Sequence, residues 1–311
     1  MKHAFLIIAH DNWWQLKNLI QLLDYKNHDI YVHIDKKSKD FNEDFFNNIT
    51  DYSNVYFFQE YDVYWGGFSI VQVELLLFRK ANEKNYDYYH LLSGMDLPLV
   101  DNKTFDNFFE REDKKEYIHF DEKALSTNPE INRRTRYYHF LQNYRRRYKQ
   151  KWKNEIFTFF ERTLLVLQIV FRVNRVKNND WKIKYGSQWV SITDELVKTI
   201  LINCEKIENT FKYTNCADEL FIQTIAYNCG FLDKIYTSST GDFSNLRYID
   251  WQRGSKGNPY TFRCTDIAAL DEQFNKYLFA RKFNEKIDKK VIEYVTSVIS
   301  DKISNKTEIV L

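Results

Sequence analysis

An α/β architecture with a Rossmann-like, parallel or mixed central sheet is what this sequence predicts, and three observations predict it. Over the first hundred residues, apolar runs of strand length alternate with segments whose apolar residues recur at helical spacing. Aspartate, glycine and tryptophan gather just after those runs, at the carboxyl ends of strands, where open parallel sheets bind ligands. The chain has three prolines in 311 residues, with no linker composition and no internal repeat, so a single domain over 1–311 is expected.

The elements follow in order. Phe5–Ala9 reads as a buried strand and Trp13–Leu23 as a helix. Asp29–Ile34 and Val55–Phe58 read as further strands. Ser69 with Gln72 has the spacing of a capping box ahead of an apolar run to Phe78. Tyr86–Leu92 is a fourth strand. Residues 120–184 break the rhythm, and a basic helical insertion is expected over about 131–184. Leu196–Cys204 and Asp218–Tyr227 read as helices, the second stopped by Gly230. Ser238–Pro259 is loop-rich. Asp271–Phe283 and Lys289–Ile299 read as closing helices.

Bulk properties narrow the function. A hydrophobic fraction of 44% supports a packed core, and the aromatic fraction of 17% suits sugar stacking, although drift in base composition produces the same excess. Residues 131–153 hold nine Lys or Arg and no acid, which leaves the rest of the chain net acidic. This is a local patch, so nucleic acid is not the expected partner. Ile156–Val173 beside it is apolar around most of its circumference. It is too short and interrupted to span a bilayer, so it reads as a buried or an interfacial helix. A solvated helix face and an anionic membrane remain the two readings of the basic block. Cys204, Cys216, Cys229 and Cys264 form no C-x-x-C and have no histidine at ligand spacing, so reduced thiols are expected rather than zinc. The chain opens on a strand-like run without a signal-peptide pattern. A cytoplasmic protein, peripheral at the inner face of the cell membrane, is therefore the expected setting.

Seven short motifs recur in one order. They are Tyr31–Ser38 (YVHIDKKS), Tyr64–Gln72 (YWGGFSIVQ), His90–Pro98 (HLLSGMDLP), Gly186–Thr193 (GSQWVSIT), Ala217–Thr224 (ADELFIQT), Leu246–Trp251 (LRYIDW) and Leu278–Phe283 (LFARKF). Together they resemble the core-2/I-branching β-1,6-N-acetylglucosaminyltransferases and peptide O-xylosyltransferases of glycosyltransferase family 14. The resemblance runs from about residue 3 to about residue 285. It implies a GT-A-like nucleotide-sugar fold and an inverting transfer from a UDP-sugar, UDP-GlcNAc first among donors, to a hydroxyl of an acceptor glycan. A bacterial version acting in capsule, exopolysaccharide or lipid-linked glycan synthesis is the expected context.

The resemblance also implies roles. Glu219 matches the catalytic base of a Pro-Asp-Glu motif, with Ala217 in place of the proline. On spacing alone, Asp218 and Glu219 equally suit decoration of a helix start. No D-x-D occurs in the chain, so a metal on the diphosphate is not expected and fixed cations are needed on the leaving group. Arg263 and Lys282 match the family's pyrophosphate positions. Arg263 closes Ser255–Arg263 (SKGNPYTFR), where the spacing is shorter than in the family. Asp35 matches a nucleoside contact, with His10 and Trp65 assigned to the same pocket. Asp96 resembles the loop near the donor sugar, and a self-bonded turn is its alternative. Trp251 offers a ring to the acceptor. Arg133 and Arg136 lie near a cationic pair used toward it, in a region where the match slips by one residue. Other UDP-sugars, or a non-catalytic membrane-bound scaffold, are the rival readings. A hydrolase on Asp218 and Glu219 is the least favoured reading, because adjacent helix residues do not face each other and cannot flank one bond.

Overall fold

The fold is described from a computed structural model over residues 1–304, apart from 113, 145, 146, 149, 178, 238–243 and 256. Arg145, Arg146 and Lys149 of the basic block, Lys256 of the Ser-Lys-Gly stretch and part of the Ser238–Pro259 loop thus lie outside the described residues. The strands are β1 (His3–Ala9), β2 (His28–Ile34), β3 (Val55–Phe58), β4 (Tyr88–Ser93), β5 (Asp96–Pro98), β6 (Ser191–Thr193), β7 (Arg247–Ile249) and β8 (Phe279–Arg281). The helices are α1 (Trp13–Leu22), α2 (Ser69–Asn82), α3 (Asn102–Arg111), α4 (Ala124–Thr127), α5 (Pro129–Arg136), α6 (Lys151–Val170), α7 (Asp194–Ile202), α8 (Cys204–Phe211), α9 (Phe221–Asn228), α10 (Ile267–Asp271) and α11 (Lys289–Ser304).

Among the described residues, β3-β2-β1-β4-β6 form one sheet, parallel from β3 to β4, with β6 antiparallel at the edge. A strand covered on both faces has no polar side, which is why β1 reads as an unbroken apolar run. Phe5, Ile7 and Ala9 pack toward α1 and α3. Ala4 and Leu6 pack with α2, α7 and α9. A smaller sheet, β5-β8-β7, follows the carboxyl end of β4 and rests on α11 through Leu97, Ala280, Val291 and Val295. This α/β arrangement with a mixed central sheet is the expected fold class.

Three local expectations need correction. Ser69 does not cap α2: its hydroxyl accepts the Tyr64 N–H at 2.9 Å, and Phe68 takes the cap position. Asp271–Phe283 is not a helix, because α10 stops at Asp271 and Phe279–Arg281 is drawn between β5 and β7 as the central strand of the small sheet. Asp218–Tyr227 splits into a one-turn 3-10 segment, Ala217–Glu219, and α9. Of the two readings of the insertion helix α6, the buried one fails, since Glu161 is its one buried residue. Gly230 stops α9 as expected. It takes φ 87, and the Phe231 N–H returns to the Ala226 carbonyl at 3.0 Å.

Candidate active site

The Glu219 turn is set by a backbone break. Cys216 adopts a left-handed φ of 52°, and its N–H donates to the Gly66 carbonyl at 2.9 Å. Gly66 has φ 76°, and a Cβ there would lie 3.0 Å from Asn215 Oδ1, so glycine is what lets this loop close on the turn. Trp65, 46% exposed, precedes that contact. Leu220 separates the turn from α9, so Glu219 stands just ahead of the helix rather than within it. Side chains hold its carboxylate instead. Arg134 Nη1 donates to Oε2 at 2.6 Å, and the Tyr185 hydroxyl also bonds it.

Arg134 arrives on α5. Asn128 caps this helix by accepting the Glu130 and Ile131 N–H groups at 3.0 and 3.4 Å, with Pro129 at its first position. Burial of Ile131 and Thr135 sets the helix face, so Arg134 turns inward while Arg133 and Arg136 remain exposed. The two arginines chosen for the acceptor therefore flank the one that reaches Glu219.

Asp218 points the other way. Burial, then the neighbouring Glu219 charge, push its carboxyl up to about 7. Glu74 of α2 is buried with it and is raised well above the usual carboxylate range by burial and by Asp218. Gln188 Nε2 donates to Glu74 Oε1 at 2.6 Å, while Glu74 Oε2 and Asp218 Oδ1 have no hydrogen-bond partner. Two adjacent carboxyls thus occupy two environments.

The second part of the site lies where the small sheet meets β4. Register pairs Asp96 with Arg281 and Arg281 with Ile249. Asp96 is almost fully buried. Oδ2 accepts the Ser93 N–H at 2.8 Å and Oδ1 accepts Arg281 Nη1 at 2.7 Å, so it serves both the turn and an ion pair. The Arg281 guanidinium lies over Trp189, 4.3 Å from the ring centre. Lys282 follows, half-buried. Burial first, then Arg281, lower its pKa, against the opposing charges of Asp11 and Asp96. The Phe262 N–H donates to the Lys282 carbonyl at 2.9 Å, which brings exposed Arg263 to within one residue of that contact. Among the described residues neither Lys282 nor Arg263 makes an ion pair.

Strand ends supply the remainder. His10 is exposed after β1, 3.4 Å from Asp11 Oδ1, and Asp11 accepts Lys286 Nζ at 2.9 Å. Asp35 is buried after β2. It accepts the Lys37 and Val63 N–H groups at 3.0 and 3.2 Å and pairs with Lys37 Nζ at 3.0 Å. Since Val63 lies two residues before Trp65, Asp35 and Trp65 belong to one connected loop system. Trp251, 49% exposed, follows β7.

The Gly186–Thr193 segment joins the two parts. The Gly186 N–H donates to the Glu219 carbonyl at 2.9 Å, Gln188 holds Glu74, and Trp189 carries Arg281. A Cβ on Gly186 would fall 1.8 Å from the His119 carbonyl oxygen, so the close crossing requires glycine. Sequence reasoning missed Arg134, Tyr185, Trp189, Arg281 and Glu74. Trp189 and Arg281 stand inside motifs already singled out, and Arg134 lies between two chosen arginines. Glu74 carried no signal.

A separate polar network occupies the amino ends of β1 and β2. Arg247 Nη2 donates to Ser191 Oγ at 2.8 Å, Ser191 lies 2.8 Å from His90 Nδ1, and His90 Nε2 lies 2.9 Å from His3 Nδ1. Burial lowers His90 well below the usual range, and it brings His3 to about 3 with help from His28. Both are neutral, so one ring donates and the other accepts in the bond between them, and the chain ends at His3, whose Nε2 has no hydrogen-bond partner among the described residues. His28 Nδ1 donates to the Leu23 carbonyl at 2.9 Å, leaving Nε2 at 2.9 Å from Asp106. His3, His28 and Asp106 are the group with metal-ligand spacing among the described residues, and they lie away from the cleft.

One segment, Gly186–Thr193, thus ties the Glu219 carboxylate turn to the cationic Arg281–Lys282 strand end, which defines an α/β protein with an acid–base group and cations joined through a shared element. The chain belongs to the Core-2/I-Branching enzyme family, whose model matches residues 3–276. It is 23% identical over 305 residues to xylosyltransferase sqv-6 of Caenorhabditis briggsae, covering 90% of this chain and 34% of that protein. It is 22% identical over 312 residues to human xylosyltransferase 2, covering 93% and 33%. The chain therefore spans about a third of the length of the curated relatives it matches. Among solved structures, mouse xyloside xylosyltransferase 1 in its apo form aligns with a TM-score of 0.33 at 11% identity, over 72% of this chain and 80% of that one. Core-mannan synthase A of Aspergillus fumigatus aligns with a TM-score of 0.36 at 14% identity, over 72% and 69%.

Proposed function

We propose that the protein is an inverting, metal-independent glycosyltransferase that moves a sugar from a UDP-sugar to a hydroxyl of an acceptor glycan. The observation that carries this reading is the Gly186–Thr193 segment, which holds the Glu219 carbonyl through Gly186 and carries Arg281, next to Lys282, on Trp189. Glu219 takes the proton of the acceptor hydroxyl. That oxygen attacks the anomeric carbon from the face opposite the diphosphate, and the bond to UDP breaks as the new glycosidic bond forms. Lys282 and Arg263, with Arg281 braced by Asp96, meet the charge that grows on the leaving diphosphate. Asp35, His10 and Trp65 line the nucleoside side. Trp251, with Arg134 between Arg133 and Arg136, lines the acceptor side. The absence of D-x-D from the sequence supports a mechanism without metal.

UDP-GlcNAc is the proposed donor, and a bacterial capsule, exopolysaccharide or lipid-linked glycan is the proposed acceptor, made at the cytoplasmic side. The names of the relatives favour UDP-xylose as a second reading. A screen of UDP-GlcNAc, UDP-xylose, UDP-galactose and UDP-glucose tests both readings by UDP release with and without acceptor extract. Release that depends on extract with one donor is the expected result. No release with any donor overturns the transferase reading and leaves the scaffold.

A further inference from the structure

Helix α6 is inside out. Asn154, Glu161 and Gln168 recur every seven residues, two helical turns, so they share one face. That face is the one turned to the protein. Asn154 Nδ2 donates to the Tyr148 carbonyl at 2.7 Å. Glu161 accepts the Leu141 N–H at 3.1 Å and meets His139 Nδ1 at 2.9 Å. Gln168 accepts the Tyr138 N–H at 2.7 Å and donates to its carbonyl at 3.0 Å. The opposite face carries Trp152, Ile156, Phe159, Val166, Leu167 and Val170 at spacings that align them in one stripe about 30 Å long. Phe159 and Val170 are each 67% exposed, and Phe171 beyond the helix end is 75% exposed. A continuous apolar face of this length is not left to water in a folded protein.

The charges around the stripe select its occupant. Lys151 and Arg162 flank it on one side and Lys153 on the other, Arg172 follows the helix, and Glu155 is the exposed acid among them. Two copies laid face to face would bring these cations together. An anionic bilayer meets both needs: acyl chains for the stripe and lipid phosphates for the flanks. No helix among the described residues is long and apolar enough to cross a membrane, so the contact is one of lying in the surface.

We infer that the outer face of α6 docks the protein on anionic membrane. The inference stands apart from the assignment of the reaction but bears on it. The Arg175 N–H, just past α6, donates to the Arg136 carbonyl at 3.1 Å, two residues from Arg134. Docking through α6 therefore sets the acceptor side of the cleft beside the lipid headgroups, as an acceptor carried on a lipid requires.

The test is co-sedimentation of the whole chain with vesicles of phosphatidylcholine alone or mixed with phosphatidylglycerol, without any substrate. Binding is expected on the anionic vesicles, to fall several-fold at about 0.5 M salt, and to drop about tenfold in Phe159→Glu/Val166→Glu. Lys151→Glu/Arg162→Glu is expected to lose the preference for anionic lipid while keeping the wild-type melting temperature. Three results would each overturn the inference: equal binding to both vesicles, recovery of all protein in the supernatant, or a wild-type dimer that Phe159→Glu/Val166→Glu converts to monomer. None of them touches UDP release, so failure here is distinguishable from failure of the transferase reading.

Discussion

Replacing Asp218 by asparagine should change how stability depends on pH far more than it changes turnover. The carboxyl ordinarily titrates at 3.8, and burial with the neighbouring Glu219 charge raises it to about 7 in the fold. Between those values the folded state keeps a proton that the unfolded chain has released. Stability from this group is therefore complete below the lower value and is lost as pH rises through the upper one. The loss is about 1.36 kcal/mol per pH unit, so moving from about pH 5 to about pH 8 removes on the order of 3 kcal/mol as a ceiling. Asparagine has no proton to lose. At roughly 2 °C per kcal/mol for a chain of this size, the variant's melting temperature should gain about 5 °C on wild type between the two pH values. Thermal melts of both proteins at both pH values read this directly. Glu116, raised to about 7, and His33, lowered to about 4, cancel in the comparison because Asp218 is not among the causes of their shifts, whereas Glu74, raised in part by Asp218, is itself relieved in the variant and adds to the difference. Turnover should remain near wild type, since the carboxyl is buried beside Glu74. Parallel curves for the two proteins would refute the reasoning and mean that Asp218 is already ionised in the fold.

Further outcomes follow from the same geometry. Glu219→Gln keeps the shape and the Arg134 contact but cannot take a proton, so turnover should fall on the order of 10²–10⁴-fold with donor affinity nearly intact. A rate loss that merely tracks loss of folded protein would remove Glu219 from the chemistry. Lys282→Ala and Arg263→Ala should each weaken UDP binding in calorimetry by more than they weaken acceptor binding. Unchanged UDP affinity in both would displace the diphosphate site. Transfer should persist in EDTA, and activity abolished by chelation and restored by Mn²⁺ would end the metal-free mechanism.

The four parallel strands of the large sheet were legible because they are rich in apolar residues and bounded by turn chemistry, whereas its edge strand β6, three residues long, was not. The small sheet was not. Its strands are three residues long, below the length at which alternation can be read, and Leu278, Phe279 and Phe283 have spacings that suit a helix equally well. Within the site, strand-end residues such as Asp35 and Asp96 were visible because turns advertise themselves locally. The choice of Arg134 over Arg133 and Arg136 was invisible, because it depends on which face of α5 Ile131 and Thr135 bury. The pairing of Glu74 with Asp218 is tertiary and leaves no mark along the chain. The apolar character of α6 was plain, but not that its polar residues would be the inward ones.

The central strand of the small sheet has one more consequence, for how the chain is made. Arg281 reaches Asp96 across 185 positions of sequence, and β8 lies between a strand near residue 97 and one near 248. A nascent chain that has emerged only as far as α10 possesses its whole large sheet and its Glu219 turn, but nothing to brace Asp96 and neither Arg281 nor Lys282. Such an intermediate can be compact and still lack the cations proposed to meet the diphosphate. Competence arrives with the last strand, after the slow closure that so long a loop imposes. A donor analogue that grips the cations should therefore act as a late-folding ligand, drawing the chain through its final step and leaving the earlier ones unchanged.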